Sequence, residues 1–560
     1  FSTNYNHRAN AVLDHKIDSA NSIKWTTGFT STQSESNVSS EGETKNDEGG
    51  LINTSNRSSL SAQDNNTLNT NALWRHKFSK KGRNLTANVS LNYSQNKSEG
   101  AVQSTNVYYQ PIDLTQELNQ VNDQLTENLT LGSSLSYTEP LGNRRYLEFN
   151  YNFSRNKNDV DRNVYNVNEG ETEFDESLSS EYTSTYTYHR PVMNVRVNRS
   201  TYSVTAGVSL QQTELNGDFV SRESIYKPYS NFLPSAHFNY DFSSSRHLTI
   251  DYETSVQEPT ITQLQPVVDN TDPLNITKGN IDLRPAYRHS VRTNFVTFSP
   301  VSFVNFFAFV NATYTQHAIT NSQSIDVSGV RTTQPVNVDN SMSVNASASV
   351  GMPINKISSR IRLSANANQQ YGVNVLNRTD IEGNVLSNVQ SNIEQSTLSS
   401  TLRYSYRYKE IFDAELSAAL SRNSTDYEFN SESNQLYYNN TYRADANLTV
   451  AKNYQLSTSF QYLIYNSATT DFNQNVELWN VSVSRFILKK AGEIKLTANN
   501  LLDNNFGISQ TANVNYVERS NTNNLGRYYM VSFIYAINRQ LNPMGGGGRR
   551  PGGMRMIINN

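Results

Sequence analysis

The residues best placed to do chemistry lie in one stretch, Gln257 to Pro285. Asp269, Asp272 and Asp282 could offer carboxylate oxygens to Ca²⁺, but their spacing does not match the twelve-residue EF-hand loop. Gln257, Glu258, Gln263, Asn270 and Asn280 add polar groups, so these eight side chains together form a candidate ligand-binding set. The competing reading is architectural: Pro259, Pro266, Pro273 and Pro285 fix turns, while Asn270 and Gly279 tolerate strained φ angles. Elsewhere the eight histidines are scattered, with no His-Glu-x-x-His run and no nucleophile elbow. Asp251 with His247 could be read as a protease dyad, but polar residues surround them on every side. Tyr108, Tyr109, Tyr437 and Tyr438 could stack on sugars or pack locally. Arg360, Arg362, Arg403 and Arg407 could line a path for anions or pair with acidic groups. There is no cysteine, so thiolate metal sites and disulfides are excluded. We expect no enzyme, no cofactor and no resident metal.

The elements that carry these residues are strands. Hydrophobic residues are only 36% of 560, yet aromatics reach 11%, with 33 Tyr and 23 Phe. That composition is poor for a large soluble core but too aromatic for disorder. Leu85, Ala87, Val89, Leu91 and Tyr93 alternate with Asn84, Thr86, Asn88, Ser90 and Asn92. Leu398, Leu402, Tyr404, Tyr406 and Tyr408 likewise oppose Thr397, Thr401, Arg403, Ser405 and Arg407. This period-two pattern recurs over about 10–14 residues at a time. Soluble strands usually run about 5–6 residues. A strand that crosses a membrane needs about 9–11, apolar toward lipid and polar toward the lumen. The pattern predicts an all-β protein, a transmembrane antiparallel β-barrel. The net charge of −3 gives no reason to expect a nucleic-acid partner.

Connections alternate between short and long. The short ones fall near Asp18–Asn21, Lys80–Arg83, Glu139–Asn143, Arg190–Asn194, Ser243–Arg246 and five later places. The long ones fall near Ser36–Asn65, Gly100–Thr126, Lys157–Ser177, Glu214–Tyr229, Gln257–Pro285 and five more. Short turns on the periplasmic side and long loops outside are the barrel pattern. Ten of each join about 21 strands. Bacterial single-chain barrels have an even number, so a barrel of about 22 is expected, with a first strand supplied upstream of Phe1. Barrels of that size are plugged transporters, so an N-terminal plug is expected there too. The barrel is expected over residues 1–538, followed at 539–560 by a flexible, basic, Gly-rich periplasmic tail.

Several stretches resemble a known family. Glu258-Pro259, Gln263-Leu264-Gln265-Pro266, Asp269-Asn270, Pro273-Leu274 and Gly279-Asn280 through Leu283-Arg284-Pro285 form the most specific of them. Asn231-Phe232-Leu233-Pro234-Ser235, Arg75-His76-Lys77-Phe78 and Leu525-Gly526-Arg527-Tyr528-Tyr529-Met530 support it. The chain resembles TonB-dependent outer-membrane receptors, in particular the Bacteroidota outer-membrane β-barrel family. Ile281 and Ala286 stand where Pro and Glu are commoner in that family. The resemblance implies a multi-pass barrel in the bacterial outer membrane that imports a solute through a plug. A TonB-type energy-coupling protein would act on the upstream region. Outer-membrane lipid, the plug, and a surface lipoprotein or other outer-membrane proteins are the partners it implies. The alternative is a structural component of a multi-protein outer-membrane complex without transport.

Overall fold

The computed structural model describes residues 2–535 except 46–48, 110–112, 169, 177, 221–222, 265–267, 270–273, 327–329, 380–384, 429–430, 432–433, 452, 470–472, 489–490, 505–506, 513–516 and 522–524. The tail expected at 539–560 lies outside the described residues.

One 24-stranded sheet dominates, and three of its members are short strands, at Glu171–Phe174, Val268–Asp269 and Asn275–Lys278. The other twenty-one follow one another as antiparallel neighbours. They are β1 (Ser2–Lys16), β2 (Asn21–Lys45), β3 (Leu51–Lys77), β4 (Asn84–Tyr108), β5 (Leu114–Gly142), β6 (Arg145–Asn168) and β7 (Ser180–Asn198). Next come β8 (Tyr202–Phe219), β9 (Ile225–Ser243), β10 (Arg246–Gln257), β11 (Ala286–Phe298), β12 (Asn305–Asp326), β13 (Arg331–Ile354) and β14 (Ser359–Thr379). The series ends with β15 (Val385–Tyr408), β16 (Phe412–Tyr427), β17 (Gln435–Val450), β18 (Tyr454–Ser467), β19 (Asn473–Ile487), β20 (Gly492–Asn499) and β21 (Tyr528–Tyr535). The count matches the reading of the alternation. Among the described residues β1 pairs only with β2, and β21 only with β20.

Register shows why the fold needs a bilayer. Apolar side chains on one face stand directly opposite one another from strand to strand. Leu416, Ala444, Phe460 and Trp479 form one such row, and Phe149, Met193 and Val208 another. The large side chains in these rows are exposed: Leu416 is 53% accessible and Met193 46%. A soluble sheet would bury such a band; here hydrocarbon does so. No helix among the described residues is long and apolar enough to cross a membrane. The opposite face is polar. Asn71, Ser90, Gly132, Ser154 and Tyr188 form one inward row. Its amides satisfy each other: Asn128 Nδ2 donates to Asn156 Oδ1 at 3.2 Å, and Asn156 Nδ2 to Thr130 Oγ1 at 3.1 Å. Arg362 and Arg403 face each other on that side, with Glu415 paired to Arg403 at 3.0 Å. Arg443 grips Asp445 through two bonds nearby.

The strands are longer than the alternation indicated. β5 has 29 residues and β3 has 27, whereas β18 has 14. About 9–11 residues suffice to cross the membrane. At about 3.3 Å per residue, β2 to β6 carry about 45–60 Å of strand more than the crossing needs. Most of what reads as long loop at 36–65 and 100–126 is therefore ladder, with Asn37 opposite Leu60 and Gly100 opposite Asn122. Beyond the lipid both faces meet water, so apolar alternation vanishes while backbone pairing continues. The turn expected at Arg190–Asn194 is also absent. β7 runs straight through it and turns at 199–201, where the Arg199 N–H donates to the Tyr202 carbonyl at 2.7 Å. Pro191 is tolerated because pairing with β8 skips Arg190 and Pro191. Among the described residues the longest stretches that leave the main ladder are the connections 258–285 and 500–527, the second with a small hairpin of its own.

Candidate functional site at the outer mouth

Loop 258–285 follows β10 and folds into the barrel. Pro259 lacks an N–H and ends the ladder after Gln257. Thr260 and Gln263 then form a reciprocal cap. The Gln263 N–H donates to Thr260 Oγ1 at 3.2 Å, and the Thr260 N–H donates to Gln263 Oε1 at 3.0 Å. This cap starts a single helical turn, Ile261–Leu264. Ile261 and Leu264 leave the turn on its buried side and meet Leu283 from the far end of the loop. The three pack against Val160, Tyr182, Leu215 and Ile225 on the inner faces of β6 to β9. Each such side chain contributes about 1.5–3 kcal/mol by burial. The recess exists because position 217 is glycine: a Cβ there would lie 2.5 Å from Ile261 Cδ1.

The second half is held by β12 and β13, beyond the two strands that carry the loop. Asn275–Lys278 pairs in parallel with Arg331–Thr333 at the start of β13. Asn280 is bonded through its N–H and both polar atoms of its side chain. Its N–H donates to the Gln263 carbonyl at 2.6 Å, its Nδ2 to the Pro335 carbonyl at 3.0 Å, and its Oδ1 accepts the Asp282 N–H at 3.0 Å. Gln334 Nε2 donates to the Gly279 carbonyl at 3.0 Å. Asn337 clamps the return: Oδ1 accepts the Arg284 N–H at 2.7 Å, and Nδ2 donates to the carbonyls of Arg284 at 3.0 Å and His317 at 2.8 Å.

Glu258 ties the loop to the inner wall, with Oε1 accepting from Gln211 Nε2 at 2.9 Å and from Thr213 Oγ1 at 3.3 Å. Burial, with the Glu258 charge beside it, pushes the Tyr186 hydroxyl well above its usual range, and Tyr229 shifts the same way for the same reasons.

The eight candidate side chains separate accordingly. Glu258, Gln263 and Asn280 turn inward and hold the loop's own shape. Gln257 is exposed and accepts from Arg288 Nη2 at 2.8 Å, and Asp282 is exposed. Asp269 pairs through its backbone with Thr277; Asn270 and Asp272 lie outside the described residues. Among the described residues no cluster of three or more His, Asp or Glu could hold a metal ion. The wall residues Gln211, Thr213, Gln334 and Asn337 complete the site and carried no sequence signal, because each sits in an ordinary polar strand position. Asp251 does not pair with His247. Its partner is His237, and His247 bonds Asp241 at 2.6 Å, each pair matched by strand register. His247 Nε2 meets the Ser244 carbonyl rather than a hydroxyl, so no nucleophile is activated there. Tyr108 is buried, while Tyr109 and Tyr438 are exposed.

A model of the outer membrane protein beta-barrel family matches residues 76–378, more than half of the chain. The chain belongs to that family. It is a protein of the bacterial outer membrane, and the apolar outer belt and polar lumen are what that location demands. Among solved structures, the chain is similar to the pyoverdine outer membrane receptor FpvA of Pseudomonas aeruginosa PAO1 at 9% identity and TM-score 0.49, covering 95% of this chain and 76% of that one. It is similar to the ferric-catecholate import receptor Fiu of E. coli K12 at 10% identity and TM-score 0.46, covering 95% and 80%. The siderophore receptor PirA of P. aeruginosa gives 13% identity and TM-score 0.38, covering 94% and 76%. Likeness at this level says nothing about ligand. No curated protein matches the sequence.

Proposed function

We propose that this chain is the barrel of an outer-membrane receptor that captures a solute at loop 258–285 and passes it into the lumen. The observation that carries this reading is the direction of the loop. Its neighbours extend the ladder outward, whereas this loop turns inward and docks both its ends on the inner wall. Loop material folded against the inner wall above a polar lumen suits controlled entry better than a permanently open channel. Gln257, Asp269 and Asp282 are the proposed outward contacts, and Asn270 and Asp272 are proposed to bind the same solute. An upstream plug with a closing strand, and a TonB-type coupling protein, are the proposed partners, as the family resemblance implies.

The test is to purify the native full-length protein from outer membranes in mild detergent and identify co-purifying proteins and bound small molecules by mass spectrometry. A parallel variant replaces 260–282 with a Gly-Ser segment. A solute recovered with the native protein and lost from the variant supports capture. A stable multi-protein assembly holding neither solute nor coupling segment overturns it and leaves a structural component.

A further inference from the structure

Three donors on strand positions next to the Glu258 partners Gln211 and Thr213 are left without acceptors. Tyr229 Oη, Asn231 Nδ2 and Arg190 Nε are buried and have no hydrogen-bond partner. They belong to one surface. Thr213 stands opposite Tyr229 and Gln211 opposite Asn231, while Arg190 lies one residue beyond the pair His189–Gln212. All sit on the inward face of β7, β8 and β9, where Gln211 and Thr213 already donate to Glu258. The Arg190 guanidinium rests over the Tyr188 ring, 5.7 Å from its centroid, which fixes its place. A buried donor without an acceptor is costly. Several on one patch, beside the donors that already hold one carboxylate, describe a site built for more anionic oxygen than Glu258 alone supplies.

We propose that Arg190, Tyr229 and Asn231, with Gln211 and Thr213, form a recess for an anionic oxygen group of the incoming solute, and that Glu258 fills it while the loop is docked. Glu258 is then a built-in surrogate of the ligand. A solute bearing a carboxylate or similar group competes for the same donors, displaces Glu258 and frees the loop's first anchor. This inference rests on the reading of the loop as an entry gate, and it narrows the solute to one with an acidic oxygen group.

The chain has no cysteine, so spin labels at Ile281→Cys and Tyr226→Cys, both exposed positions, report the distance between loop and β9 in the purified protein in micelles. Citrate is the probe and maltose the neutral control. Citrate alone is expected to add a longer distance saturably, with a midpoint about tenfold lower in Glu258→Gln, which keeps the shape and loses the charge. The pair Arg190→Gln with Tyr229→Phe is expected to leave the loop docked and abolish the response. Distances indifferent to citrate in both the wild-type protein and Glu258→Gln overturn the proposal. So does an unaltered response in the Arg190→Gln, Tyr229→Phe protein, which would make these donors water sites. Either failure leaves the capture reading standing, because that depends on solute recovery in the loop-replaced variant.

Discussion

The outer end of this barrel is built in two ways. On the β2 to β6 side the chain extends the ladder far past the bilayer, and nearly every backbone group is met by the next strand. At 258–285 the ladder stops and the chain folds inward, where side chains take over the task. Thr260, Gln263, Asn280, Gln334 and Asn337 each satisfy backbone groups that no neighbouring strand reaches. Proline contributes to the difference. β3 contains none, while the loop has one at 259, 266, 273 and 285. Each lacks a donor and biases the preceding residue, so a cluster of them disfavours a continuous ladder. A regular ladder resists movement as one unit, whereas a loop held by a few anchors can be released by losing one.

The largest effect should come from giving the tall wall the loop's defining residue. Ser59→Pro removes an N–H where β3 is flanked by Val38 of β2 and Val102 of β4. We expect a local cost of about 3 kcal/mol or more. Hydrogen exchange should accelerate in 37–45 and 100–108 and stay unchanged at 274–285. Equal acceleration in both regions would mean they are not independent.

Leu264→Ala attacks the loop instead. Leu264 is fully buried, and its truncation should weaken docking by about 2–5 kcal/mol. Faster exchange confined to 258–264 and 279–285 is the expected outcome. Asn337→Leu removes three hydrogen bonds at the other anchor and should cost about 1–3 kcal/mol, read as protease cleavage within the loop of an otherwise intact barrel. If Asn337→Leu loosens the Glu258 end as well, the two anchors act as one.

The smallest effect lies at the periplasmic turns. Asp18 accepts from the N–H groups of Ala20 and Asn21 and from Asn21 Nδ2, all within 2.8 Å. Hydrogen bonds from Asn21 and Ala20 hold its carboxyl below the ordinary value of 3.8. A depressed carboxyl stabilises the turn above that value and loses its contribution as pH falls through the lowered one. Amide chemical shifts of Ala20 and Asn21 should titrate in that acid range, and Asp18→Asn should abolish the titration.

The membrane-spanning wall was legible in the sequence because lipid enforces period two. Leu85, Ala87, Val89 and Leu91 must face one way and their neighbours the other. The strand count followed, since short turns such as Lys80–Arg83 interrupt the pattern cleanly. The tall extensions were not legible: above the lipid, Asn, Ser and Thr suit either face, and a polar run such as 36–45 reads as loop although backbone pairing holds it. The loop was legible as a place, from its prolines and glycines, but not as a structure. Its residues were candidates for a ligand, and the fold turns Glu258, Gln263 and Asn280 to its own support.

By itself the sequence determined an outer-membrane β-barrel, its lipid-facing and lumen-facing residues, and the proline-rich stretch at 257–285 as a long connection. Those are consequences of local alternation and of proline. Only the tertiary structure decided that the loop points inward, because that depends on a recess formed by residues distant in the chain. Ile261 finds its place through the missing Cβ of Gly217. Glu258 meets Gln211 and Thr213 across 45–47 residues of chain, a proximity that only the register of β8 to β10 creates.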